Sequence, residues 1–102
     1  MFKVIVEVTR PDQTFPFYVL AEGFFEKEIE MGMLRKAPGF VDHVYQISND
    51  ELTFTRTTTW ENEDSYYNFL YQWLDAKPEY VIDYSNYNSD HNHILVTTFE
   101  TT

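Results

Sequence analysis

At 102 residues, 43% of them apolar and 19% aromatic, the chain is expected to form one α+β domain over residues 1–102, with a single core and too little polarity for disorder. Seventeen acidic against seven basic residues give a formal charge of −10, a field that repels phosphate backbones and excludes nucleic acid as an expected partner. No apolar run reaches membrane-spanning length. Lys3, Glu7 and Arg10 interrupt the first hydrophobic segment, so it is not expected to be a signal peptide, and the absence of cysteine excludes disulfides while leaving the compartment open.

In chain order, Phe2 to Thr9 alternates Phe2, Val4, Val6 and Val8 against Lys3, Ile5, Glu7 and Thr9, which predicts a strand with one buried face. Arg10-Pro11-Asp12-Gln13 ends it, since proline cannot donate to a ladder and Pro-Asp favours a turn. Thr14 to Leu20 reads as an edge strand or an extended arm because of Pro16. As an arm, its Phe15, Phe17 and Tyr18 would cover another surface, in the same chain or in a partner. From Gly23 to Lys36 the period lengthens: Phe25, Ile29 and Met33 form a stripe, acids sit at the start and Arg35 and Lys36 at the end, and Pro38-Gly39 stops this first helix. The acid-rich run from Glu22 to Glu30 is then a solvated helix face.

A hairpin follows. Val41, His43, Tyr45 and Ile47 share one face of the outgoing strand, and Leu52, Phe54, Arg56, Thr58 and Trp60 one face of the return strand, with Thr53, Thr55, Thr57 and Thr59 opposite. A two-residue turn at Asn49-Asp50 would set Ser48 opposite Glu51, Ile47 opposite Leu52, Tyr45 opposite Phe54 and His43 opposite Arg56. Asn62 is the expected N-cap of a second helix whose core stripe is Tyr66, Phe69, Leu70, Trp73 and Leu74. Lys77-Pro78 interrupts it. Glu79 to Asn88 fits a short helix with Tyr80, Val81, Tyr84 and Tyr87 aligned, or a strand with Tyr80, Ile82 and Tyr84. Pro78 at a first helical position favours the helix. Asn86 to Asn92 reads as a loop, and Ile94 to Phe99 as the last strand.

Strand, helix, strand, strand, helix, strand is the ferredoxin-like split βαβ order, with an antiparallel sheet in the order 4-1-3-2 and the helices on one face. Ile5, Val44, Leu95 and the threonine row on the other face are too apolar for open water, so a homodimer is expected to cover them.

The run Pro38-Gly39-Phe40, a hairpin, and then Trp60-Glu61-Asn62-Glu63-Asp64-Ser65-Tyr66 resembles the antibiotic-biosynthesis-monooxygenase type of dimeric α+β barrel. The resemblance covers about forty residues and implies a fold shared by oxygenases, haem-degrading enzymes, isomerase-like proteins and members of no known activity. In the oxygenase branch it implies a pocket of an asparagine on the first strand, this tryptophan, and a histidine or tyrosine on the second helix. Only Trp60 transfers directly, with Tyr66 or Tyr71 as stand-ins on the helix. The Val8-Thr9-Arg10-Pro11 opening, Pro16-Phe17-Tyr18 and the threonine-rich strand also resemble small proteins of tailed phages of marine bacteria.

The strongest candidate constellation is His43, Arg56 and Trp60, where a histidine beside a guanidinium stays neutral and can act as a base next to a flat apolar wall. The competing reading makes Trp60 core and His43–Arg56 a partly solvated cross-strand pair. His91 and His93, beside Asp90, have chelating spacing but no third ligand, so no metal site is expected. No phosphate loop, serine-nucleophile motif or basic patch is present. Tyr67, Tyr71, Tyr84 and Tyr87 suit a protein interface, together with Phe15, Phe17 and Tyr18. The leading expectation is therefore a non-catalytic homodimeric assembly module that binds itself or other protein chains, as in a virus particle. It would have no cofactor, catalytic residue or membrane contact, and would be cytoplasmic or virion-associated. The alternative is a cofactor-independent oxygenase acting on a small aromatic substrate through His43, Arg56 and Trp60.

Overall fold

The computed structural model describes residues 1–18, 34–76 and 78–101. Four strands, β1 (Phe2–Thr9), β2 (Phe40–Ile47), β3 (Thr53–Trp60) and β4 (Ile94–Thr101), form one antiparallel sheet in the order β2-β3-β1-β4, as expected. Helix α1 (Glu63–Ala76) packs near β3, and α2 (Pro78–Asp90) near β4. The first helix expected over Gly23–Lys36 lies outside the described residues except for 34–36, which form a turn. No helix among the described residues is long and apolar enough to cross a membrane.

The alternation in β1 sets the two faces. Val4 lies between Thr58 and Phe99, Val6 between Arg56 and Thr97, and Val8 between Phe54 and Leu95, so these side chains share the helix-side face. Two buried clusters sit beneath the helices: Phe2, Val4, Leu34 and Trp60 in one, and Val8, Phe17, Tyr18, Phe54 and Trp73 in the other. Leu95, expected on the far face, pairs with Val8 and belongs to the helix side. Ile94 and Val96 take the far face instead, 64% and 54% exposed.

The hairpin register differs from expectation by two residues. Ile47 faces Phe54, Tyr45 faces Arg56 and His43 faces Thr58. The cause is a longer turn built on Asp50, whose carboxylate accepts from Ser48 Oγ at 2.6 Å and from the Leu52 amide at 3.0 Å. These bonds hold the Asp50 carboxyl below its usual range. The left-handed residue is Glu51 (φ 61°), rather than Asn49 or Asp50. A slip of two keeps every side chain on its face, so the composition of each face survives the error. A bulge between Phe40 and Asp42 absorbs one extra residue at Val41.

Asn62 caps α1 as expected, its Oδ1 accepting from the Ser65 amide at 2.9 Å. Gly39 (φ 83°) lies so close to this cap that an added Cβ would stand 2.6 Å from Ser65 Cβ, so both its backbone angle and its lack of a side chain are required. Helix α2 runs on to Asp90, shortening the loop expected over Asn86–Asn92. It closes with Asn92 in the left-handed region (φ 59°), the His93 amide on Asn88 O at 2.8 Å and the Asn92 amide on Ser89 O at 3.4 Å. This Schellman arrangement turns His93 inward.

The 15–18 arm docks on its own chain. Tyr87 Oη donates to Pro16 O at 2.6 Å, Arg10 Nη1 donates to Phe15 O at 2.9 Å, and the Arg10 guanidinium lies 4.3 Å above the Phe17 ring. Phe17 and Tyr18 are therefore core residues, 3% and 9% exposed, and not the interface residues that the sequence suggested. Phe15 stays 44% exposed but stacks on His91 at 3.8 Å.

Candidate functional site

A cavity of about 250 Å³ lies between the sheet and the helices. Val4, Val6, Phe54, Arg56, Thr58 and Trp60 form its floor, Tyr66, Phe69, Leu70, Trp73 and Leu74 its roof, and Tyr84, Leu95 and Thr97 complete the wall. The roof is the stripe that periodicity assigned to the core. Only Trp73 is buried in that stripe, and Leu74 is 36% exposed, because the stripe faces open volume rather than packed side chains.

Trp60 ends β3 and is fully buried. Its Nε1–H donates to Thr58 Oγ1 at 3.0 Å, and its ring meets Phe69 at 5.3 Å, Phe40 at 5.6 Å and Tyr66 at 5.9 Å. It is thus packed against α1, as the competing reading held, and is also a rigid wall of the cavity. Arg56 is the charged member of a lining otherwise made of aromatic, aliphatic and threonine side chains among the described residues. A cation in such surroundings costs desolvation and needs polar partners. One of them is His43: the Arg56 Nε–H donates to His43 Nε2 at 3.0 Å. An arginine can only donate, so His43 accepts at Nε2 and carries its proton on Nδ1. His43 supports Arg56 from behind and does not line the cavity.

Burial raises the pKa of Tyr66, with Tyr67 adding to the effect and Arg56 opposing it. Burial likewise raises Tyr84, opposed by a hydrogen bond with Asn88 and by Arg56. Both phenols are neutral hydroxyls near pH 7, able to donate to a ligand oxygen. Of the stand-ins considered on the helix, Tyr66 lines the cavity, whereas Tyr71 lies outside it and is 62% exposed. No asparagine stands on β1.

Tyr84 is half-buried, edge-on to Tyr18 at 5.4 Å, and faces the cavity rather than an interface. Tyr67 is half-buried and Tyr71 exposed on the outer side of α1. Leu95 and Thr97 are lining residues that sequence reasoning missed. Their signal was the β4 register, which alternation alone left undetermined. No group of three or more metal-ligating side chains occurs among the described residues, which include His91 and His93. His93 is buried, and its Nδ1 has no hydrogen-bond partner among the described residues.

No family model matches the chain, and no curated protein matches it. Solved structures do. A mutant form of SnoaB, a cofactor-independent oxygenase from Streptomyces nogalater, superposes with a TM-score of 0.64 at 15% identity, over 99% of this chain and 91% of that one. The ActVA-Orf6 monooxygenase of Streptomyces coelicolor, solved with the ligand nanaomycin D, gives 0.63 at 18% identity, over 99% and 86%. A dimeric ferredoxin-like protein from an uncultured marine organism gives 0.58 at 13% identity, over 100% and 94%. The chain therefore has the ferredoxin-like α+β fold that these structures share. The leading expectation of a non-catalytic virion or assembly module is corrected by these findings. Two of the structures sharing the fold along nearly the whole chain are oxygenases, and a cavity lies between the sheet and the helices.

Proposed function

We propose that the chain is a cofactor-independent, oxygenase-like enzyme acting on a small, electron-rich aromatic molecule. The observation that carries this reading is the cavity itself, whose flat aromatic walls suit a planar ring and whose charged group is Arg56. An ionised phenol gives electrons to dioxygen far more readily than its neutral form, so a cation that favours the phenolate promotes the reaction without a metal or flavin. In this reading Arg56 pairs with the phenolate oxygen and Trp60 and Phe69 hold the ring. Tyr66 and Tyr84 donate to a second oxygen, and His43 orients the guanidinium. The active unit is a homodimer in which Ile5, Val44, Ile94, Val96 and the threonine row of one copy cover those of the other.

The test is oxygen uptake with a panel of naphthols and hydroquinones, alongside quenching of tryptophan fluorescence. Binding and turnover by the wild type, with turnover lost in Arg56→Met while binding of a neutral naphthalene persists, is the expected result. A protein that neither binds nor oxidises any member of the panel would overturn the reading.

A further inference from the structure

The cavity is joined to the surface by a run of contacting oxidisable rings. Trp60, fully buried, meets Tyr66 at 5.9 Å; Tyr66 meets Tyr67 at 5.1 Å; and Tyr67 meets Tyr71 at 6.3 Å, where the side chain is 62% exposed. We infer that Trp60, Tyr66, Tyr67 and Tyr71 form a route by which an oxidising equivalent arising in the cavity escapes to solvent before it damages the core. The protective purpose rests on the oxygenase reading; the route itself is a property of the ring contacts and is tested apart from it.

Tryptophan and tyrosine are among the side chains that give up a single electron most easily, and the competing thiol of cysteine is absent from this chain. Another branch runs from Trp60 to Phe69 at 5.3 Å and on to Trp73 at 6.4 Å. It passes through a phenylalanine, which resists oxidation, to a ring that is itself buried. Phe99 touches Tyr66 at 6.0 Å and Tyr67 at 6.4 Å, holding the run in place without offering a lower resting point for the charge. Burial makes the Tyr66 phenol reluctant to release its proton, so the radical does not settle there. At Tyr71 water takes the proton.

The step balances with a ligand peroxyl radical as the oxidant. The peroxyl takes one electron from Trp60 and one proton from water, becoming a hydroperoxide. Tyr66 refills Trp60, Tyr67 refills Tyr66, and Tyr71 refills Tyr67, losing its own phenolic proton to solvent. The neutral Tyr71 radical is then reduced by hydrogen-atom transfer from a small solvent reductant such as ascorbate.

A cysteine-free chain allows a single photo-oxidant to be attached in the cavity through Thr97→Cys, whose side chain lines it and is exposed. An anthraquinone tethered there and excited by near-ultraviolet light should produce a tyrosyl radical, seen by electron paramagnetic resonance. Spin-trapping and peptide mass spectrometry should place the adduct on Tyr71. Tyr66→Phe and Tyr67→Phe, each checked for fold by circular dichroism, should lower that adduct severalfold. Tyr71→Phe should leave a longer-lived radical that ascorbate quenches poorly. An undiminished Tyr71 adduct in Tyr66→Phe, an adduct concentrated on Tyr84, or no tyrosyl radical at all would overturn the inference. Because the oxidant is tethered, the outcome does not depend on whether the protein turns over any aromatic.

Discussion

Arg56 and His43 meet through a 3.0 Å hydrogen bond although they are not backbone partners: Arg56 faces Tyr45, and His43 faces Thr58. The contact is diagonal across β2 and β3, a span that only long side chains bridge. It ties the direction of the guanidinium to a residue outside the cavity. Protonation at Nε2 would turn the acceptor into a donor and set two cations against each other, so the bond exists only with His43 neutral.

Removing either partner should therefore weaken binding of an ionised aromatic, by unequal amounts. A hydrogen bond to a charged group is worth about 1.5–3 kcal/mol, so Arg56→Met should cost about ten- to a hundredfold in affinity for a naphtholate. His43→Ala should cost less, since the charge remains and only its orientation loosens. Fluorescence titration checks this. Equal losses for charged and neutral aromatics would show that the pair acts on packing alone.

The cavity also separates residues that periodicity treats alike. Trp60→Ala removes a fully buried indole and should cost about 3–5 kcal/mol in a denaturant melt. Leu74→Ala, at 36% exposure on the cavity roof, should cost about 1 kcal/mol or less, because few neighbouring atoms lose contact. Similar losses for the two would mean that the roof is packed.

His93 gives stability a pH dependence. Burial, the nearby charges of His91 and Arg10, and a weaker opposing pull from Asp12 leave its folded pKa below the ordinary 6.5. In the window between the folded and unfolded values the unfolded chain binds more protons, so stability falls as the pH falls. The contribution is fully present above pH 6.5, and its loss is complete once the pH drops below the folded value. His93→Phe, which keeps a ring beside Phe17 and Tyr87, should flatten the thermal-melt profile on the acid side of that point. An unchanged slope would assign the acid sensitivity to other groups.

Much of the fold was legible because alternation is a local signal. The bounds of β1 and the Asn62 cap follow directly from residue order. The hairpin register did not, because Asp50 accepts two hydrogen bonds in a longer turn that Asn49-Asp50 equally permits. His43, Arg56 and Trp60 share one face, yet of the three only Arg56 and Trp60 line the cavity. A helical stripe such as Tyr66–Leu74 has the same spacing whether it meets a packed core or a cavity. The arm escaped for a related reason: its aromatic run is compatible with any apolar surface, and only the fold supplies Tyr87 Oη and the Arg10 guanidinium to hold it.

The far face of the sheet carries the last prediction. Val44, Ile94 and Val96 are 54%, 64% and 54% exposed there, with Ile5 and the side chains of Thr53, Thr55, Thr57 and Thr59 between them. A second copy packed on this face would bury the apolar side chains and leave the threonine hydroxyls to bond locally. A lysine introduced at Val96 would then enter the interface twice, and burying each unpaired ammonium costs several kcal/mol. Val96→Lys should shift the protein from dimer to monomer by light scattering at micromolar concentration, whereas Val96→Leu should keep the dimer. Since Val96 is largely exposed within one subunit, neither change should disturb the secondary structure of the separated chain. A wild-type protein that is already monomeric under those conditions would sink the assignment, and the face would then have to be covered by something other than its own copy.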